Sequence, residues 1–275
     1  MIFRAPASTA NLGPGFDCAA AALDLWNELE LEQGDGTPPD PDHLGVRAFA
    51  KVASPEGWSF AFSDHIPRER GLGSSASIVA LGLVAAAAVS GNGHSADELL
   101  ALGTELEGHA DNLAAVLLGG VCMAWRRDGR PYAQRIATDM PAAAVLAVPG
   151  TRTGTAESRN GLPFTVKHED AAATAGAAAL LGAAIVAGDA DLLRDAFKDR
   201  LHEPYRLEGA PLLRELRAHA PAGTVGVTLS GSGPSVVVWA DKRRAGEVAA
   251  ALEHSLPADT RVLPLGIAPE GARAE

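Results

Sequence analysis

Apolar and polar residues alternate from Trp26 to Glu32 and again over Trp58-Ser59-Phe60-Ala61-Phe62, the two-residue period of half-buried strands. Short apolar stretches predict further strands at Ile2–Ala5, Val121–Trp125, Tyr132–Ala137, Ala143–Val148, Val225–Leu229, Val236–Ala240 and Arg261–Ile267. Ser77 to Val89 is apolar on every side, which predicts a buried helix. Ser95-Ala96-Asp97-Glu98 fits a capping box and opens a helix running to about Glu107. Leu44–Val52, Glu169–Ala187, Asp189–Phe197, Leu212–Ala218 and Lys242–His254 complete the helices, the second of them alanine-rich with acidic residues at its start. The segments 34–42, 151–160 and 230–234 are polar and rich in turn residues, and two prolines with two glycines exclude a regular element from Pro6 to Asp17. The tail from Pro269 is expected to fray. Helices mixed with short strands, without strict strand–helix alternation, point to an α+β fold. Pro149-Gly150 marks a boundary between domains 1–149 and 150–275.

Composition changes this picture only at its edges. The chain has 275 residues, 47% hydrophobic and 21% charged, enough to bury a core in one large or two small domains. A net charge of −11 argues against a general nucleic-acid binder, which needs clustered Lys and Arg. It does not argue against one nucleotide held by backbone N–H groups. Cys18 and Cys122 are too few for a disulfide framework and read as reduced thiols. Met1 to Pro6 lacks the basic and apolar regions of a signal peptide, and the apolar run Ile78–Val89 is too short to span a bilayer. The expectation is a cytoplasmic protein with no membrane partner.

The candidate chemistry begins at Arg70-Gly71-Leu72-Gly73-Ser74-Ser75-Ala76-Ser77, between a strand and the apolar helix. Two glycines let the backbone turn tightly, and the serines open a helix whose unpaired N–H groups favour a phosphate. Alone, the stretch reads equally well as a serine-capped loop. Two other loops join it, Pro6–Asp17 and Leu229–Pro234.

Together the three loops resemble the kinase superfamily named for its galactose, homoserine, mevalonate and phosphomevalonate members, the GHMP kinases. Pro67 to Ala76 is similar to that family's ATP-phosphate loop and lacks the Lys of a Walker loop. Within the superfamily, Ala10-Asn11-Leu12-Gly13-Pro14-Gly15-Phe16-Asp17, Glu107-Gly108-His109-Ala110-Asp111-Asn112 and His202-Glu203-Pro204-Tyr205-Arg206 resemble the homoserine kinases. The resemblance covers nearly the whole chain. It implies an N-terminal ribosomal-protein-S5-like domain, a C-terminal ferredoxin-like domain, and phosphorylation of a small alcohol by ATP. ATP would be held by Pro67, Arg70, Gly71, Leu72, Gly73, Ser74, Ser75, Ala76 and Ser77. Mg²⁺ would be held by Ser75 and Glu107, with Glu105 an alternative at nearly the same spacing.

The implied substrate, L-homoserine, carries an ammonium, a carboxylate and a primary hydroxyl. Asn11 and Asp17 would take the ammonium, Arg159 and Arg206 the carboxylate, and Thr155 and His109 would add contacts. Asn112 and Asp111 would lie near the reacting hydroxyl, the first orienting it and the second assisting electrostatically or as a weak base. His109 and His202 lack partner histidines at ligand spacing and read as hydrogen-bonding or substrate-contact groups. A homodimer is compatible with this reading. A mevalonate- or shikimate-type kinase and a non-catalytic ligand sensor are the alternatives. Two departures from the family stand out: Ala19 to Ala22 replace a usual Leu-Gly pair, with an expected effect on helix packing, and the segment between Glu32 and Trp58 is short.

Overall fold

The first sheet is built on two long antiparallel strands, β1 (Ile2–Ala10) and β2 (Ala19–Gln33), in a computed structural model that describes residues 1–34, 40–151, 158 and 160–275. Strand β1 runs through Pro6, contrary to the sequence expectation that regular structure stops at Ala5. The register of the β1–β2 pair shifts between Pro6 and Ala7, and such an irregularity is where a strand tolerates a proline. The expected loop therefore shrinks to the turn between Asn11 and Cys18.

Strand β2 pairs with β1 and with two further strands along its length. Its first residues pair with β4 (Val121–Arg127), which continues to the edge strand β5 (Arg130–Ala137); its last residues pair with β3 (Trp58–Ser63). The alanines 19–22 lie in this strand and are fully buried, and through it the departure noted above bears on helix packing as expected. Ala20 and Ala22 meet Ala115 of helix α4 (Asp111–Leu118), and these small side chains let that helix settle close to the sheet. Around the same face pack α1 (Leu44–Phe49), α2 (Ser74–Ser90) and α3 (Ala96–Glu107), whose buried residues share one core with Phe3, Leu29 and Leu31.

The second sheet contains β6 (Ala143–Val148), β7 (Thr224–Leu229), β8 (Val236–Ala240) and β9 (Arg261–Leu265), antiparallel throughout in the order β7-β8-β6-β9. Counted along the chain this is order 2-3-1-4, and helices occupy the β6–β7 and β8–β9 connections, the ferredoxin-like arrangement. The helices are α5 (His168–Ala187), α6 (Ala190–Ala196), α7 (Glu203–Arg206), α8 (Pro211–Ala218) and α9 (Ala245–Ser255). A second core joins the two sheets: Ala7, Ala21 and Leu23 meet Leu146, Val148 and Trp239, with Leu181 and Ile185 of α5 and Leu193 of α6. Strand β6 hydrogen-bonds in the second sheet although its sequence precedes Pro149.

The C-terminal tail is ordered, which corrects the expectation of fraying. Residues Arg273–Ala274 form β10 and pair with Phe3 and Arg4 of β1, and Ala268 exchanges hydrogen bonds with Ala22 and Gly120. Alternation was lost on this segment because it adds to an existing sheet edge through its backbone. The apolar run Ile78–Val89 lies in α2, which at 17 residues stays below the length needed to cross a bilayer. Helix α5, with 20 residues and a mean hydropathy of 1.6, is long and apolar enough by composition, and its face at Thr174, Ala177, Leu181, Ala184 and Ile185 packs into the protein.

Candidate active site

The glycine–serine loop ends at Gly73, which stands at the N-cap of α2 with φ of 65°. No side chain caps this helix and no acidic residue occupies its first turn, so its positive end is left for an anion. Glycine is required here for space as well as for dihedral angle. A Cβ on Gly73 would lie 1.9 Å from Ser8 Oγ, and one on Gly71 (φ 71°) would lie 2.1 Å from the Ser230 carbonyl oxygen.

Three loops converge at this point. The Ser8 N–H donates to the Leu72 carbonyl at 3.1 Å, the Gly231 N–H to the Ala10 carbonyl at 3.1 Å, and Ser230 Oγ to the Gly71 carbonyl at 2.7 Å. Asn11, in the left-handed region at φ 71°, donates through Nδ2 to the Gly231 carbonyl at 2.9 Å and accepts the Asp17 N–H on Oδ1 at 3.0 Å. A short polar side chain tolerates that backbone conformation and repays it with local hydrogen bonds. The β1–β2 turn, the phosphate loop and the Leu229–Pro234 loop thus form one rim.

The rim encloses a cavity of about 620 Å³, within the size range of small-molecule sites. Pro67, Arg70, Gly71, Leu72, Gly73, Ser74, Ser75 and Ala76 line one side of it. Glu107, His109, Asp111 and Asn112 line it from α3 and the start of α4, and Asn11, Asp17 and Arg206 line it from the β1–β2 turn and α7. The structure therefore brings together most of the residues singled out in the sequence. Ser77 is not among them, because its hydroxyl turns into the core and donates to the Ala5 carbonyl at 3.1 Å. Arg70 reaches the wall, but its guanidinium donates to the carbonyls of Pro149 (3.0 Å) and Gly150 (2.7 Å), tying the loop to the end of β6. Thr155 and Arg159 lie outside the described residues.

Glu105 and Glu107 separate clearly in the fold. Glu105 is exposed and pairs with Lys51 at 2.8 Å, whereas Glu107 faces the cavity and accepts the Ser75 hydroxyl hydrogen bond at 2.5 Å. Burial pushes the Glu107 carboxyl up; the Ser75 hydrogen bond and the His109 charge pull it down, and the Asp111 charge adds to the rise. A hydroxyl and a carboxylate side by side at the uncapped start of α2 are hard oxygen donors of the kind Mg²⁺ takes together with nucleotide phosphates.

Asp111 and Asn112 open α4. Asp111 Oδ1 accepts the Asn112 N–H at 2.8 Å and lies 3.2 Å from His109 Nδ1. Ser8 Oγ donates to Asn112 Oδ1 at 2.8 Å, and Asn112 Nδ2 lies 3.5 Å from Asp111 Oδ1; the carboxylate can only accept, so this second contact places the NH₂ group on the Asp111 side. Ser8 was not anticipated in the sequence. It sits within a strand, 104 positions from its partner, and nothing in local pattern signals the pairing.

The Asp199–Arg206 stretch divides its labour. The Asp199 carboxylate accepts the N–H groups of Leu201, His202 and Glu203 at 2.7–2.9 Å. Glu203, fully buried, accepts the Leu229 N–H at 2.7 Å and pairs with Arg217. Glu203 is thus a brace between α7 and β7, while Arg206 faces the cavity. Burial is the main influence on His202 and pushes its ring below the usual histidine range, against the pull of Asp199 and Glu203.

An uncapped helix N-terminus, a hydroxyl bonded to a carboxylate, and an arginine and an aspartate lining the same cavity are the parts of a small-molecule kinase site on a GHMP-type fold. The family profiles described as "GHMP kinases N terminal domain" and "GHMP kinases C terminal" match residues 44–120 and 180–258. The chain is 34% identical to the homoserine kinase of Synechococcus sp. strain RCC307, covering 99% of this chain and 95% of that one. It is 38% identical to the homoserine kinase of Moorella thermoacetica, covering 88% of each. Its fold matches a homoserine kinase structure from Cytophaga hutchinsonii with a TM-score of 0.86 at 24% identity, over 99% and 96% of the two chains. The chain belongs to the homoserine kinase family of the GHMP kinases.

Proposed function

We propose that this protein transfers the γ-phosphoryl group of ATP to the side-chain hydroxyl of L-homoserine, giving O-phospho-L-homoserine and ADP, a step towards threonine. The observation that carries the reading is the wall facing the phosphate loop, where Arg206 and Asp17 line the same cavity as the N-terminus of α2. A zwitterionic alcohol supplies a carboxylate for Arg206, an ammonium for Asp17 and Asn11, and a hydroxyl directed at the phosphate.

Positioning and charge stabilisation dominate phosphoryl transfer, because its transition state is loose. The N–H groups of Ser74, Ser75 and Ala76, at the start of α2, would cradle the phosphates. Ser75 and Glu107 fit Mg²⁺ as oxygen donors, and the ion would neutralise charge building on the transferring group. The homoserine oxygen attacks the γ-phosphorus as the bond to the bridging β,γ-oxygen breaks, and the hydroxyl proton is lost. Asn112, its oxygen held by Ser8, offers amide N–H groups that orient the hydroxyl but has no basic atom to take the proton. Asp111 is the neighbouring carboxylate, assisting electrostatically or as a weak base while the proton passes to it or to the phosphate.

The test is L-homoserine-dependent ADP release with Mg²⁺ present, the phosphorylated product being followed by phosphorus NMR. The expected result is stoichiometric O-phosphohomoserine; ADP release indifferent to homoserine contradicts the assignment. In the same assay, near-normal turnover of Asp111→Asn excludes an obligatory base at Asp111 and leaves direct proton transfer to phosphate.

A further inference from the structure

His202 is fully buried beside the cavity, and both of its ring nitrogens are engaged. Nε2 lies 2.8 Å from the Gly13 carbonyl oxygen, which can only accept, so Nε2 carries the proton. Nδ1 lies 2.8 Å from Nη1 of Arg206, which can only donate, so Nδ1 presents a lone pair. The two contacts together fix the neutral Nε2–H tautomer without reference to any titration. The Phe16 ring stacks on the imidazole at 4.9 Å between centroids and an angle of 20°, and the Arg206 guanidinium lies 5.4 Å from the same ring. Arg206 Nη1 also lies 3.4 Å from the Gly231 carbonyl.

We propose that His202 is a positioning residue for substrate recognition, its Nδ1 lone pair holding the Arg206 guanidinium in the plane that receives the substrate carboxylate. The inference rests on the reading of Arg206 given under the proposed function. An arginine fork gains affinity by being pre-organised, and an acceptor on one Nη removes rotational freedom that binding would otherwise have to remove. His202 both accepts from Arg206 and anchors itself on the β1–β2 turn, so it links the carboxylate and ammonium halves of the site. The backbone of α7 does not depend on the ring, because the Asp199 carboxylate and the Glu203 brace hold it separately. The ring can therefore be altered with the helix in place.

Two substitutions divide the ring's functions. In His202→Asn the side-chain oxygen falls near the place of Nδ1 and keeps the acceptor for Arg206; in His202→Gln the terminal amide reaches towards Gly13 and the acceptor is lost. Kinetics for both substrates are measured in each variant and in Arg206→Lys, with melting temperatures recorded. His202→Asn is expected to keep the homoserine KM within about threefold of wild type, and His202→Gln to raise it roughly tenfold, kcat and the ATP KM moving less than about threefold in both. Equal homoserine KM values for the two variants, or a His202→Gln defect spread evenly over kcat and both KM values, overturn the proposal. A homoserine KM unmoved by Arg206→Lys overturns the carboxylate assignment and the proposal with it. A raised KM in Arg206→Lys beside an unmoved one in His202→Gln overturns the role of His202 alone. In the wild-type protein, nitrogen NMR is expected to show the Nε2–H tautomer at neutral pH, and an Nδ1–H or doubly protonated ring contradicts the account whatever the variants do.

Discussion

Glu107 and Glu105 are two positions apart in the last turn of α3, and the fold gives them opposite surroundings. Two positions on a helix are about 200° apart, so only one of the pair can face Ser75. Spacing could not choose between them, because the choice depends on which face α3 turns towards the start of α2, a tertiary fact. Glu107→Gln is expected to lower kcat by roughly a hundredfold and to raise the Mg²⁺ needed for half-maximal rate, while Glu105→Gln stays within about twofold of wild type. A Mg²⁺ titration of both variants checks this, and equal losses in the two would count against Glu107 as a metal ligand. Asn11, Asp17, Asp111 and Asn112 were legible through the resemblance of their contiguous motifs to the homoserine kinases, since by residue type alone Asn and Asp are ordinary at a turn or helix start. Ser8 reaches the site unannounced and the Ser77 hydroxyl turns away from it, since a serine inside an element says nothing of where its hydroxyl points.

At the scale of elements, hydrophobic period located α2, α3, β3 and the strands of the second sheet, because each presents an unbroken apolar face to a core. It missed the first half of β2, where alanines 19–22 are buried on both sides and no alternation exists to read. It stopped β1 at Pro6, because a register irregularity that accommodates proline is not visible without the partner strand. Helix α7 is four residues long and owes its place to Asp199 and Glu203 rather than to propensity. That arrangement carries a pH signature. The buried His202 ring holds its proton less tightly in the folded chain than the ordinary value of 6.5. Between the two values the unfolded chain binds more protons, so this contribution to stability is complete above about pH 6.5 and is lost as pH falls below it. The melting temperature of wild type is expected to fall between about pH 7.5 and pH 5.5 more steeply than that of His202→Asn, which has no ring to protonate. Parallel curves for the two proteins would show that the ring does not titrate with unfolding.

The whole molecule explains why residues far apart in sequence line one cavity. The first sheet is closed at its edge by the C-terminal residues, the second sheet begins with β6 ahead of Pro149, and one core joins the two. Three loops meet where the sheets abut, so that Ala10, Leu72 and Gly231 are linked by backbone hydrogen bonds or their immediate neighbours. The sequence showed three loops in order along the chain, and resemblance supplied their convergence; composition and periodicity could not have done so, because convergence is a property of topology. The central claim is that this convergence makes a site for an amino-acid alcohol, with the charges of Arg206 and Asp17 facing the phosphate cradle. The most direct measurement is kcat/KM for ATP-dependent phosphorylation of L-homoserine, mevalonate and shikimate in one coupled ADP-release assay. The account predicts that L-homoserine has the highest value, by at least about tenfold, since only it satisfies both charges. A higher value for mevalonate or shikimate, or ATP binding with no turnover of any of the three, would contradict it.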